Sequence, residues 1–210
     1  QRIGLAIADS PYGPWKRPDQ PFLATRPDSF DSFMVNNPAP IIRKDGSVYL
    51  LYKSRGYQQD MTKYFTYDEM KFGVAEAPHY TKQAHAVVNR PLFDSQVYDL
   101  EDPFVWQDED GRYFMIAKDM DGRACGEARG GVLAASENGL NWEICSGKTA
   151  YSRNVLWDDG KVRTMGNLER PFMLFEDGKP THLFFATSDG ENGLVDCKHT
   201  WNMVIPLKQD

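Results

Sequence analysis

The stretch from Leu100 to Asp119, LEDPFVWQDEDGRYFMIAKD, decides how the rest of the chain is read. It opens on paired carboxylates, Glu101 and Asp102, directly before Pro103. An apolar run follows, then Asp110-Gly111, then a second apolar run, Met115-Ile116-Ala117. Asp-Gly between apolar runs is a strong hairpin signal, because a type I′ turn needs two residues with positive φ. Pro is tolerated at the first residue of a strand, where its missing N–H costs nothing in the ladder. The stretch therefore predicts an antiparallel hairpin with charge at the start of its first strand.

The same pattern occurs twice more, as NPAPIIRKDGSVYLLYKS from Asn37 and RPFMLFEDGKPTHLFFATS from Arg170. The prolines are Pro38, Pro103 and Pro171, spaced by 65 and 68 residues. A second motif runs in phase: IGLAIADSPYGPWKR from Ile3, FGVAEAPHYT from Phe72 and GGVLAASENGLNW from Gly130. The apolar runs are nearly continuous, which predicts strands covered on both faces. Ala6, Ala75 and Ala134 would let neighbouring sheets approach closely. No segment has helical periodicity with caps. A four-stranded antiparallel unit of about 65 residues reads as a propeller blade, and is longer than the WD40 unit of about 40–45 residues or the kelch unit of about 50.

The fold class expected is thus all-β, a β-propeller of four-stranded antiparallel blades. One propeller domain spans 1–210, with blade units at roughly 1–30, 34–95, 99–160 and 166–210. The chain opens on the third strand of a blade and holds roughly 3.2 units, where propellers need about 4–8. The expectation is an incomplete propeller, lacking one or more N-terminal blades of a longer parent.

Composition bounds the function. Hydrophobic residues make up 41% and aromatics 13%, enough for a substantial core. A formal charge of −6 argues against a nucleic-acid surface. No apolar run approaches the roughly 20 residues of a membrane-spanning helix, so no membrane partner is expected. Cys125, Cys145 and Cys197 are odd in number and lack C-x-x-C spacing, which predicts free thiols rather than a zinc knuckle. The chain begins at Gln1 without an initiator Met, and a periplasmic or secreted location is the expectation.

In a propeller the first strands of all blades converge on one mouth of the central channel. That convergence would gather Asn36-Asn37, Glu101-Asp102 and Glu169-Arg170. Carboxylates around one pocket can divide into acid and base when their environments push their pKa values apart, and glycoside hydrolysis needs such a pair. Asp102 and Glu169 are the candidate catalytic residues, with Asn37, Lys53, Lys118 and Arg170 as candidate substrate-binding residues. Lys53, Lys118 and Arg55 read more readily as structural ion-pair partners, and Glu101 as a solvated or salt-bridged neighbour. Asp108, Glu109 and Asp110 read as a solvated turn, and His182 as a structural histidine. Trp106 and Trp157 read as core, with stacking on a sugar ring as the other reading.

LEDPFVWQDEDGRYFMI resembles the I-D-P strand of glycoside hydrolase family 43 and its five-bladed relatives, family 117 among them. LERPFMLFEDGKPTHLFFAT resembles their E-x-P strand, and NPAPIIRKDGSVYLLYKS the blade before. The resemblance implies a five-bladed propeller and an inverting glycosidase that cleaves O-glycosyl bonds of plant or algal oligosaccharides. It makes Glu169 the general acid and Asp102 the residue that orients it and tunes its pKa. It places the general base, an Asp, on the first blade, expected upstream of Gln1. No cofactor is required and no catalytic metal is expected, although a structural divalent cation in the central channel is compatible with the fold. Specificity would come from pocket-wall loops such as Gly56 to Met70. The expected partner is an oligosaccharide, with a homo-oligomer also allowed. Residues 1–210 alone are expected to lack activity and to associate. The alternatives are a non-catalytic carbohydrate-binding propeller and a protein-interaction propeller. The second is disfavoured by carboxylates clustered where a broad apolar face would be needed.

Overall fold

The computed structural model describes residues 1–57 and 68–208, and no helix occurs among them. Residues 58–67 of the Gly56 to Met70 loop lie outside the described residues. The chain divides into two compact units, Gln1–Ser95 and Gln96–Asp210.

Unit 1 holds a four-stranded antiparallel sheet of β1 (Met34–Ile42), β2 (Val48–Arg55), β3 (Lys71–Ala77) and β4 (His85–Ala86), in that order. Ahead of it, the bridges Ile3 to Leu23 and Ile7 to Lys16 fold the N-terminal segment back on itself. β2 is buried along all but its last residue, as the continuous run of apolar residues predicts. Val35, Leu50, Tyr52 and Ala75 form the core with Ile3 and Leu23. Ala6 is exposed and takes no part in it.

Unit 2 repeats the arrangement with β5 (Leu100–Gln107), β6 (Tyr113–Asp119), β7 (Gly130–Ser136) and β8 (Glu143–Tyr151). A short hairpin follows, β9 (Asn154–Leu156) and β10 (Val162–Thr164). The last sheet is β11 (Leu168–Glu176), β12 (Lys179–Ser188) and β13 (Thr200–Pro206), three strands among the described residues where four were expected. Its strands alternate between buried and exposed positions, with Phe172 and Val204 open to solvent, so near-continuous burial is confined to the middle strands of the earlier sheets. Ile116, Tyr151, Leu168, Leu183 and Phe185 form the core of the unit. The edge-to-face pair Phe104–Phe172, with centroids 5.2 Å apart, ties β5 to β11.

The three proline motifs do something the sequence pattern does not announce. Pro38, Pro103 and Pro171 are not first residues of strands. Each lies inside one, at a register shift: between Asn36 and Ala39, Glu101 and Phe104, and Glu169 and Phe172. The residue before each proline is left-handed, with φ of 45° at Asn37, 54° at Asp102 and 55° at Arg170. These are β-bulges, which accommodate proline and re-aim a side chain. β1, β5 and β11 each stand at the end of their sheet's strand order, so the missing N–H leaves no ladder partner unsatisfied.

The turns also divide. Asp177-Gly178 is the predicted two-residue turn with both φ positive, closing Glu176 against Lys179. At Arg43–Ser47 and Asp108–Arg112 the loop is one residue longer. The Gly46 N–H donates to the Arg43 carbonyl at 2.9 Å and the Gly111 N–H to the Asp108 carbonyl at 3.1 Å. Only the glycine is left-handed there, as in a type I turn followed by a bulge.

One glycine of the second motif is fixed by packing rather than by φ. A Cβ at Gly131 would stand 2.2 Å from Tyr151 Cδ1, whose ring lies over the strand and meets Phe185 edge-on. Gly131→Ala should therefore lower stability by about 1–3 kcal/mol, the usual cost of overpacking. Urea unfolding measures it, and an unchanged midpoint would show that the ring yields freely.

Candidate active site

The bulge at Asp102 and the bulge at Arg170 lie on β5 and β11 of unit 2, and the residues around them converge. Glu101 stands opposite Lys118 in the β5–β6 ladder. Glu169 occupies the matching place on β11, but its ladder partner on β12 is Ala186. The third sheet thus has no lysine of its own at that level, and Lys118 serves it from β6. The Lys118 ammonium is hydrogen-bonded to Glu169 Oε2, 3.1 Å from Glu101 Oε2 and 3.8 Å from Asp102 Oδ2. Its side chain is only 3% exposed, so one buried cation answers three carboxylates.

Asp102 is itself buried. Its Oδ2 accepts the Arg170 backbone N–H at 3.2 Å, and its Oδ1 lies 3.1 Å from Arg170 Nε. Glu169 Oε1 accepts a hydrogen bond from Asn167 Nδ2 at 3.0 Å. Asn167 is held in turn by Ser188 Oγ, which donates to its Oδ1 at 2.5 Å, and by Thr187 Oγ1, which donates to its carbonyl at 2.6 Å.

These surroundings separate the two acids. Burial pushes the Asp102 carboxyl up to about 6; the charge of Glu101 and the hydrogen bond with Glu169 add to this, and Lys118 and Arg170 oppose it. Burial acts on Glu169 in the same direction, but the Lys118 charge and hydrogen bond, with those from Asp102 and Asn167, outweigh it and hold Glu169 below the usual carboxylate range. Burial alone would lower Lys118; Glu101, Glu169 and Asp102 reverse that and raise it. Below about pH 6 the proton of the pair therefore sits on Asp102 rather than on Glu169.

The group opens on a cavity of about 560 Å³, within the range of small-molecule sites. Arg129, Asn167, Arg170 and the 192–195 segment complete its wall. The loop carrying Arg129 is tied by Asp119, a fully buried carboxylate that accepts the Ala124 and Cys125 N–H groups at 2.8 Å each. Asp189 shapes the other loop by accepting the Lys198 and His199 N–H groups at 2.8 and 3.0 Å, and these bonds hold its carboxyl well below the usual range. Behind the site, the Tyr151 hydroxyl is buried with no partner among the described residues, and burial, then Asp102 and Glu169, push it far up.

Of the residues singled out from sequence, Asp102, Lys118, Glu169 and Arg170 come together here. In unit 1, Asn37 holds the bulge position that Asp102 holds in unit 2 and Lys53 the ladder position of Lys118, both 7% exposed. His182 lies 3.0 Å from Thr181 Oγ1 and 4.0 Å from Glu176, on a half-buried structural footing. Trp106 and Trp157 pack against the core of unit 2. All three cysteines are free. Asn167, Arg129 and Tyr151 were not anticipated. Asn167 had a signal, a polar residue directly before β11 and two positions before Glu169.

Glu101, Asp102 and Glu169 each have an oxygen within 4.8 Å of the others, a spacing that a cation could bridge. They do not fit a resident divalent ion, because the Lys118 ammonium already stands at ion-pair distance from all three. The charge that an ion would supply is present in the chain.

No protein-family model matches the chain, and no curated protein matches it. Solved structures do. BT0996, in a complex with RGII, superposes with a TM-score of 0.70 at 15% identity, over 98% of this chain and 56% of that one. A thermostable family-43 glycoside hydrolase gives 0.63 at 17%, over 100% and 64%. Zg3597, a family 117 glycoside hydrolase of the marine bacterium Zobellia galactanivorans, gives 0.60 at 16%, over 97% and 50%. The chain spans 50–64% of the length of these structures and shares with them the β-propeller fold of family 43 and family 117 glycoside hydrolases.

Proposed function

We propose that the protein is an inverting glycoside hydrolase of the family 43/117 kind, a five-bladed propeller in its full length, acting on plant or algal oligosaccharides. The observation that carries this reading is the Asp102–Glu169 carboxyl pair, with oxygens within 4.8 Å of one another and one buried lysine shared between them at the wall of a cavity. Glu169 is the general acid. Below about pH 6 Asp102 holds the proton and returns it to the neighbouring Glu169 when a glycosidic oxygen displaces the Lys118 contact. Glu169 then protonates the leaving oxygen. Lys118 keeps the carboxyl cluster from repelling itself apart. Inverting carboxyls stand roughly 6.5–9.5 Å apart, with a water between them. The oxygens of Glu101, Asp102 and Glu169 approach within 4.8 Å, so the base is a further carboxylate outside this trio.

The pair titrates as a unit, and its apparent value follows Asp102, about 6. Above that pH the site, faced by Glu101, Lys118, Glu169, Arg170 and Tyr151, has no proton to give. In the full-length protein kcat/KM should fall about tenfold per unit above pH 6. A profile flat to pH 8 would remove Asp102 as the proton's resting place. Proton NMR of the first-formed sugar anomer tests the stereochemistry, and a product of retained configuration would overturn inversion.

A second reading, a carbohydrate-binding propeller, is favoured by the ionised resting state of Glu169. Oligosaccharide binding by the full-length protein without turnover at any pH from 4 to 8 would decide for it.

A further inference from the structure

We infer, on the glycosidase reading above, that Arg170 is the receptor for an anionic substituent of the bound sugar, and that the substrates are acidic oligosaccharides bearing uronate carboxylates or sulfate esters.

The backbone gives the first reason. Arg170 holds the same left-handed bulge position as Asn37 and Asp102. Asn and Asp are enriched at positive φ because their short polar side chains bond locally, and arginine has no such advantage. A residue kept in a sparsely populated conformation points to a use at a functional site.

The way the side chain is held gives the second. Arg170 is anchored twice on the buried Asp102, by its backbone N–H at 3.2 Å and by Nε at 3.1 Å. The side chain as a whole is 62% exposed, at a wall of the cavity. Nη1 and Nη2 have no partner among the described residues. A guanidinium fixed through Nε presents those two nitrogens as a planar fork, which matches the paired oxygens of a carboxylate or a sulfate.

The charge pattern gives the third. An anion entering beside Glu101, Asp102 and Glu169 needs a cation with donors that these carboxylates leave open. Lys118 is fully engaged with all three. Arg129 lines the same cavity with Nη1 donating to the Gly166 carbonyl at 3.3 Å. Of these three cations, Arg170 combines a firm anchor with an exposed fork.

The test is calorimetric titration of the full-length protein carrying Glu169→Gln, so that nothing is turned over. The probes are trigalacturonate, its trimethyl ester, a sulfated galactotriose and plain galactotriose. One anionic probe should bind about tenfold to hundredfold tighter than its neutral counterpart, the scale of hydrogen bonds to a charged group. The ester pair and the sulfate pair separate the two sources of charge. Arg170→Met should abolish the preference, and Arg170→Lys should restore part of it. Equal affinities within both pairs, absence of binding by either anionic probe, or a preference that survives Arg170→Met would each overturn the inference. Hydrolysis of a neutral glycoside by the unmutated protein, with no anionic preference, would overturn it while leaving the glycosidase reading intact. An anionic preference without hydrolysis would do the reverse.

Discussion

Glu169→Gln in the full-length protein is expected to slow hydrolysis of an unactivated glycoside by about 10²–10⁴-fold, the usual contribution of a general acid. The amide keeps the shape of the carboxyl and can still accept the Asn167 hydrogen bond, so the strand and its bulge should persist. Lys118 retains Glu101 at 3.1 Å and Asp102 at 3.8 Å. What the variant loses is a group that can carry a proton to the leaving oxygen. An aryl glycoside with a good leaving group needs little protonation, so its rate should fall far less. The contrast between the two substrates is diagnostic, because a misfolded variant would lose both. Turnover of the natural glycoside near the unmutated rate, with near-UV circular dichroism unchanged, would end the assignment of Glu169 as acid.

Lys118→Met should destabilise the protein by about 3–5 kcal/mol at neutral pH, the cost of breaking a buried ion pair by removing one partner. Methionine fills the space but leaves Glu101, Asp102 and Glu169 with oxygens within 4.8 Å of one another and only the Arg170 guanidinium, held on Asp102 Oδ1, to answer them. The pH dependence has a definite sign. Glu169 is held low chiefly by Lys118 against the pull of burial, so without the lysine it joins Asp102 as a raised carboxyl. A carboxyl raised in the folded state binds more protons than in the unfolded chain, and stability then falls as pH rises from the ordinary carboxylate value through the raised one. The variant should be most stable near pH 5 and weakest near pH 8. Urea unfolding at both pH values checks this. A deficit equal at the two would mean that lost packing, not charge, sets the cost.

The repeat was legible because it rests on local rules. Prolines at matched spacing, Asp-Gly turns and continuous apolar runs need only the sequence, and they delivered the sheets of both units. The bulges were hidden, since a proline at a strand start and a proline at a bulge leave the same trace, and nothing in arginine announces positive φ at Arg170. The β9–β10 hairpin carries its own signal, Asp159-Gly160 between short apolar residues, but it falls outside the repeat that organises the rest. The convergence of Asp102, Lys118, Glu169 and Arg170 could be inferred only by assuming a propeller. The pairing of Lys118 with Glu169 across 51 residues was beyond reach. Periodicity tells which face a side chain takes, not which neighbour meets it, and the decisive fact, Ala186 where the other sheets carry lysine, has meaning only once the ladders are aligned.

The threefold bulge has a consequence for how such a site changes over generations. Each of the three proline motifs forms a socket, a proline behind a left-handed residue. The three sockets hold an amide, an acid and a base: Asn37, Asp102 and Arg170. A single codon change at one of them alters the chemistry offered at the strand without disturbing the ladder on either side. Duplication of a unit then copies not a finished function but a vacant position for one, and the divergence of blades within a single chain records how those positions were filled.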